Sequence, residues 1–360
     1  MKRRVLYVVH EFPQISQTYI LNEIIALEQD YDIRVVALEE PDIPIETDHK
    51  AYVTKRFNRI VEIAQEFRPD VLHSHYVLHG PLMLKLSRRL GVPFTIRGHS
   101  FDVLSPPSRY SFFKRIRRKL RGKPEFWVSY KEHASTTFNS PHCLGVLLFP
   151  FQRPLLEAAG VRTSKIHDCF PVMDFDLFHD RSPNGDAIMN VGACIPKKKM
   201  TDFVDLAASM PDRRFNLYAL GYYVDDIRNY NEAASNPVTI VPPVQPRNMP
   251  AEYKKHRWMV YTGDHVLKSL GWPLALAEAQ ASGVGVCVAN VRPDLREFIG
   301  NAGFVFDSVE DVRKIVSQPF SDELRERGFE QAKKSDIRIH KTVLTDLWQK
   351  SFRSAPSPNS

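Results

Sequence analysis

Glu278 is the residue whose surroundings ask most plainly for a ligand. It sits among Ala275, Ala277, Ala279 and Ala281. Small neighbours imply close packing, and a closely packed carboxylate stays charged only if hydrogen-bond donors meet it. The two hydroxyls of a ribose are such donors; a solvated helix face is the plainer alternative. Gly271, Trp272 and Pro273 lead into this run. Gly271 permits a tight turn, Pro273 suits the start of a helix and Gly283 its end. The start of that helix, with its free N–H groups and its dipole, favours an anion such as a diphosphate.

Lys197, Lys198 and Lys199 follow Ala193 in a loop after an apolar run at 188–191. A lysine placed there stabilises a leaving diphosphate as a point charge; simple solvation explains three loop lysines equally well. Histidines form a third group. In DVLHSH, at 70–75, His73 and His75 fall on one face of a strand. With His79 they offer imidazoles to a metal, but no third ligand of matched geometry is evident and no metal is assigned. His99 and Asp102 follow the next strand, where a lone histidine can also be structural. Gln14, Ser16 and Gln17 lie in a loop after the first apolar run, at the edge where open α/β sheets bind ligands. The alternative for these is a polar surface loop.

The elements that must position these residues alternate between strand and helix. Apolar runs of strand type fall at 4–9, 33–38, 70–75, 93–96, 126–130 and 145–151, with helical stretches at 20–27, 60–66, 81–90 and 154–159 between them. SPNG, at 182–185, reads as a linker. The pattern then restarts, with strands at 188–191, 214–220, 238–241, 258–261, 284–289 and 302–306. Two helices are expected after that, the last over about 335–352 with Ile339, Val343, Leu347 and Trp348 on one face. Alternation of this kind implies parallel sheets covered by helices. The 360 residues suffice for two such domains. They divide as 1–180, 186–334, a final helix over 335–352 and a disordered tail over 353–360.

Composition narrows the class. The hydrophobic fraction of 43% is ordinary for a soluble protein, and no run approaches the ~20 apolar residues that span a bilayer. Four scattered cysteines without a CxxC pair argue against a zinc site or a disulfide frame and fit a cytoplasmic protein. The net charge of +7 is local: residues 103–124 hold eight Lys or Arg and no acid, so the remainder nets −1. Within 108–124, Phe112, Phe113, Ile116 and Leu120 recur at helical spacing. A basic amphipathic helix suits peripheral attachment to an anionic membrane surface, or an anionic acceptor; a solvated helix packed on its domain is the alternative. Nucleic acid is not expected, because no recognition motif accompanies the patch.

Several of these segments together resemble retaining glycosyltransferases of the GT-B fold, the large family four, of the exopolysaccharide and lipopolysaccharide type. Gly271, Glu278, Ala279, Gly283 and Glu297 match that family's donor-site pattern, with Leu270 where a first Glu is usual. Asp70, His73 and His75 match its D-x-x-H-x-H segment, and Pro93, Phe94, His99 and Asp102 its P-F-x-x-x-x-H-x-x-D motif. Lys198 falls at the family lysine, with Ala193 for the usual Arg and Lys199 for the usual Gly. Asp174 and Phe178 match the interdomain segment, so the literal D-x-D at Asp174 and Asp176 is not a metal site.

The resemblance implies an α/β fold of two Rossmann-like domains facing across a cleft, the acceptor on the first and the nucleotide on the second. Glu278 would hold the donor ribose and Lys198 the diphosphate. His99 would touch the transferred sugar, with Ala193, Lys197, Gly271, Trp272 and Pro273 completing the donor site. Gln14, Ser16, Gln17, His75 and Asp102 would line the acceptor side. The implied activity moves a sugar, with retention, from a UDP- or GDP-linked donor to a glycan or lipid-linked acceptor, without cofactor or metal. The expected setting is cell-surface polysaccharide or glycolipid synthesis. Two alternatives are a GT-B-shaped nucleotide-sugar epimerase or hydrolase, and a degenerate non-catalytic partner subunit, for which Leu270, Ala193 and Lys199 speak.

Overall fold

Thirteen short runs of extended chain assemble into two all-parallel sheets in the computed structural model, which describes residues 2–104, 129–221, 223–267 and 269–354. The first sheet takes β1 (Arg3–Glu11), β2 (Tyr31–Glu39), β3 (Ala51–Val53), β4 (Val71–His75), β5 (Phe94–Arg97), β6 (Cys143–Leu148) and β7 (Ile166–Asp168) in the order 3-2-1-4-5-6-7. The second takes β8 (Ala187–Ala193), β9 (Phe215–Leu220), β10 (Thr239–Ile240), β11 (His256–Tyr261), β12 (Gly285–Ala289) and β13 (Gly303–Phe306) in the order 10-9-8-11-12-13. Parallel neighbours require crossovers, and helices supply them all except the one from β2 to β3, which the helix-free stretch 40–50 makes.

Burial on both faces explains why the central strands are continuously apolar. In β1, Val5, Tyr7 and Val9 join one core and Leu6 and Val8 another, all fully buried. The core containing Val5, Tyr7 and Val9 continues through Phe149 and Trp272 into the second sheet. The final helix, Ile337–Ser354, returns to the first sheet. Its Trp348 is completely buried, meets Tyr31 edge-on at 5.1 Å and donates from Nε1 to Thr95 Oγ1 at 2.9 Å.

Several expectations need correction. The described end of the strand expected at 126–130 is a 3-10 turn, Tyr130–Glu132. Three helices follow β13, not two: Val309–Val316, Asp322–Lys333 and the final one. Arg353 and Ser354 belong to that last helix, not to a tail. Asp174 and Asp176 both pair with Arg338, which ties the chain between the sheets to the start of the final helix. The four cysteines are free and buried. No described helix is long and apolar enough to cross a membrane. The basic segment 108–124 lies outside the described residues.

Candidate active site

In each sheet the strand order reverses direction between two central neighbours, β1 and β4 in the first, β8 and β11 in the second. Loops diverge there, and the crevice at the carboxyl ends is where such sheets bind ligands. A cavity of about 310 Å³ lies between the two crevices. The first sheet contributes Ile15, Ser16, Thr18, Tyr19, Asn22, Tyr76 and His99 to its wall; the second contributes Ala193, Lys197, Lys198, Tyr261, Trp272, Pro273 and Glu278.

Glu278 lies on the helix Leu274–Ala281 and is half-buried. Tyr253 donates to its Oε2 at 2.8 Å, and burial pushes its carboxyl up to about 7. The solvated-face alternative therefore does not hold. Small alanines let the helix pack deeply: Ala279 and Ala281 are fully buried. Gly283, with φ +73°, ends the helix turn as expected.

Lys197 and Lys198 stand on the same side of the cavity, contributed by the second domain, with no carboxylate in ion-pair distance among the described residues. Burial pushes both amines down to about 8, helped for Lys197 by the charge of Lys198. The Lys198 ammonium lies 5.1 Å from the centre of the Tyr261 ring and directly over Gly192. A Cβ at Gly192 would come within 2.0 Å of the Lys198 Nζ, and its φ of +133° suits glycine only. The loop itself is fastened: Thr262 donates to the Lys198 carbonyl at 2.6 Å, and the Asp264 N–H to the Lys197 carbonyl at 2.9 Å. Lys199 points away and pairs with Asp202.

On the opposite wall, His99 lies between Tyr19, with ring centres 4.4 Å apart, and Tyr76, 4.9 Å apart. Its Nε2 meets His75 Nδ1 at 2.9 Å. Burial, then the neighbouring His75 and Arg97, hold its imidazole well below the ordinary range, so it is neutral at pH 7. Tyr76 has φ +73° and ψ 118°, a conformation that costs a tyrosine of order 1–3 kcal/mol. Such strain collects where a site over-determines its residues.

Other expected residues are placed differently. Gln14 is buried and binds the Ile43 N–H and Glu11, not the cavity. Gln17 is also off the cavity wall. Asp102 is 3% exposed and accepts from the backbone N–H of Val77 and His99; it shapes the loop that carries His99, and burial pushes its carboxyl up to about 6. His75 is fully buried beneath His99. Gly271 is tight for an unexpected reason: a Cβ there would lie 2.3 Å from that of Ser100 on the other domain. Trp272 stacks on Phe298 at 5.0 Å and on Phe149 at 5.8 Å, packing one domain on the other. Leu270 is buried, and its carbonyl accepts from Arg292. Asp264 and His265, the polar residues in the loop before Leu270, are not on the cavity wall; Asp264 accepts from the N–H groups of its own loop.

Among the described residues, Glu23, His73 and His75 form a set whose ligand atoms lie within 4.8 Å of one another, the spacing of a metal site. Glu23, not His79, is the third member; His79 turns to Ser74 Oγ at 3.0 Å. However, Arg97 is bonded to Glu23 Oε2 at 2.6 Å and Tyr7 to Oε1 at 2.9 Å. The guanidinium already neutralises the carboxylate, and a divalent ion would add uncompensated charge to a fully buried space. Glu23 carries a sequence signal of its own: it lies three residues from Ile20, on the apolar face of the first helix.

Comparison with known proteins adds to this geometry. Residues 16–148 match the model of Glycosyltransferase Family 4. No curated protein matches in sequence. Among solved structures, the chain is similar to sucrose-phosphate synthase from Thermosynechococcus elongatus, at 14% identity and a TM-score of 0.72 over 98% of this chain and 100% of that one. It is similar to HepE from Anabaena in complex with UDP-glucose, at 13% identity and a TM-score of 0.71 over 95% and 99%. A glycosyltransferase from Rickettsia africae matches at 12% identity and a TM-score of 0.68 over 98% and 100%. At such identities the likeness defines the fold, which is GT-B.

Proposed function

From the premise that this chain carries a Glycosyltransferase Family 4 domain within a GT-B fold, we propose that it moves a sugar from a nucleoside diphosphate sugar to a glycan or lipid-linked acceptor, with retained configuration. The observation that carries the reading is the pair of desolvated lysines, Lys197 and Lys198, without acidic partners, on a cavity wall that also presents Glu278 and faces His99. Two desolvated cations without acidic partners are costly unless an anion joins them. A diphosphate carries the matching charge, and on this reading needs no metal to neutralise it.

The donor ribose bonds the free oxygen of Glu278. Lys197 and Lys198 take the diphosphate near the start of the helix Leu274–Ala281. The sugar lies toward His99, and the acceptor enters beside Ser16. The bond from the anomeric carbon to the phosphate oxygen breaks as the acceptor oxygen bonds the same face. The acceptor proton passes to the departing phosphate, and the nucleoside diphosphate leaves. The HepE structures solved with UDP and with UDP-glucose support a UDP-linked donor. Synthesis of a cell-surface polysaccharide or glycolipid is the setting this reading favours.

Calorimetry with UDP-glucose and GDP-mannose tests the reading. One of them should bind, and Glu278→Ala should weaken it at least tenfold, about 1.4 kcal/mol. Unchanged affinity in that variant would remove Glu278 from the site. The burial of Leu270 favours a second reading, a partner subunit that binds nucleotide without turning it over. Release of UDP from UDP-glucose, with and without added acceptor glycans, separates transferase, hydrolase and inert subunit.

A further inference from the structure

Beneath His99 lies a chain of side chains that the proposed reaction does not yet use. Glu23, His73 and His75 are fully buried, and Arg97 nearly so. Both imidazoles turn Nε2 toward one oxygen, Glu23 Oε1, at 3.1 Å for His73 and 3.3 Å for His75. Arg97 and Tyr7 complete the carboxylate's partners. Burial alone would raise the Glu23 carboxyl; Arg97 and the imidazoles outweigh it and hold it ionised, well below the usual carboxylate range.

The proton positions follow from elimination. Trp348 Nε1 is only a donor, so Thr95 Oγ1 accepts from it and is free to donate to His73 Nδ1, 2.8 Å away. Neither contact has hydrogen-bond geometry, but a bare ring nitrogen 3.1–3.3 Å from a carboxylate oxygen is repelled by its charge, so His73 and His75 each carry their proton on Nε2, on the side of Glu23. A neutral His75 then has only a lone pair at Nδ1, and burial keeps it neutral, its imidazole pushed down to about 4. The neighbour on Nδ1 is His99 Nε2, at 2.9 Å. The two rings lie within 15° of coplanar, with centres 5.2 Å apart, so they meet edge to edge as a hydrogen-bonded pair must. His99 must therefore donate from Nε2.

We propose that Glu23, acting through His75, fixes His99 as the Nε2–H tautomer and leaves its Nδ1 as a hydrogen-bond acceptor on the cavity wall. Glu23 and His75 are positioning residues, and the group they position selects a ligand that offers a hydroxyl hydrogen at that point. Identifying this hydroxyl as one on the transferred sugar rests on the function proposed above; the tautomer itself does not. A site of opposite tautomer would offer a donor there and would select an acceptor group.

Histidine-selective 15N labelling and long-range proton–nitrogen correlation spectra read the tautomers in the ligand-free protein, with His99→Gln used to assign the signal. The expected result is a neutral His99 protonated at Nε2. A His99 protonated at Nδ1, or cationic at pH 7, would overturn the proposal whether or not the protein transfers sugars. Glu23→Gln keeps the shape but can present either its oxygen or its amide to His75. In that variant His99 should become a mixture of tautomers, and the rate of UDP-glucose turnover should fall at least tenfold while affinity for UDP alone stays within twofold. If Glu23→Gln does not fold, His75→Leu removes the acceptor of His99 Nε2–H and should release the same tautomer. An unchanged His99 signal in either variant, or a zinc-dependent shift of the His75 signal that requires Glu23, would refute the relay. Failure of the wild type to bind UDP would count against sugar transfer alone.

Discussion

Glu278 and Lys198 change protonation close to neutrality, and a nucleotide sugar needs each in its charged form. With the Glu278 carboxyl at about 7, acid conditions protonate it and it no longer accepts from ribose hydroxyls. With the Lys197 and Lys198 amines at about 8, alkaline conditions discharge them and they no longer attract a diphosphate. Affinity for the donor should therefore rise as pH increases through about 7 and fall beyond about 8. A nucleotide sugar is the suitable probe, since its diphosphate does not titrate in this range. Glu278→Gln should flatten the acid limb, and Lys198→Met should lower the whole curve and make its alkaline limb shallower. Calorimetry from pH 6 to 9.5 reads both; a flat wild-type profile would refute the assignment. Glu278 was legible because a carboxylate among alanines is out of keeping with a plain helix, whereas three loop lysines are ordinary, and only the folded chain sets Lys197 and Lys198 on the cavity wall and Lys199 off it. Gln14, His75 and Asp102 misled because a polar side chain near a site can as well support the loop as face the ligand. Tyr253 and Tyr76 gave no signal, being ordinary core types whose neighbours come from distant parts of the chain.

At the scale of elements, the loop Pro196–Lys199 shows what a departure from a family pattern means physically. Lys199, where the resemblance has glycine, adopts φ +44° and ψ 53°, a left-handed conformation that glycine takes without penalty. Lys199→Gly should raise stability by about 0.5–1 kcal/mol, because the exposed pair with Asp202 that it removes is worth little. Urea unfolding checks this, and a lower midpoint would show that the ion pair outweighs the strain. Nucleotide affinity should be unaffected, since Lys199 is off the cavity wall. The sheets themselves were readable, because strands buried on both faces must be continuously apolar and nearly all are followed by a helix of different period. β3 was not, because its three residues are too few to show a period. Of the strand expected at 126–130, residues 126–128 lie outside the described residues, and Tyr130 opens a turn in which its side chain is buried without its backbone pairing in a sheet.

At the scale of the molecule, the site is made only where the two domains meet, and beside it their chains approach closely. Ser100 sits beside His99, Gly271 precedes the helix of Glu278, and Lys197 reaches both Ser100 Oγ, at 3.5 Å, and the Ser269 carbonyl, at 3.3 Å. A methyl group on Gly271 would lie 2.3 Å from Ser100 Cβ, a separation no pair of carbons tolerates, so the domains must part or the loop must move. Nucleotide contacts lie mainly on the second domain, whereas transfer needs His99 from the first. Gly271→Ala should therefore lower kcat much more than nucleotide affinity; displacement of a reacting group by about 1 Å can cost 100-fold. Ser100→Gly in the same chain removes the colliding carbon and should restore most of the loss. The two substitutions then couple, as contacting residues do in a double-mutant cycle. If Gly271→Ala instead abolishes nucleotide binding and Ser100→Gly does not recover it, the glycine serves the diphosphate directly and the approach of the domains is incidental.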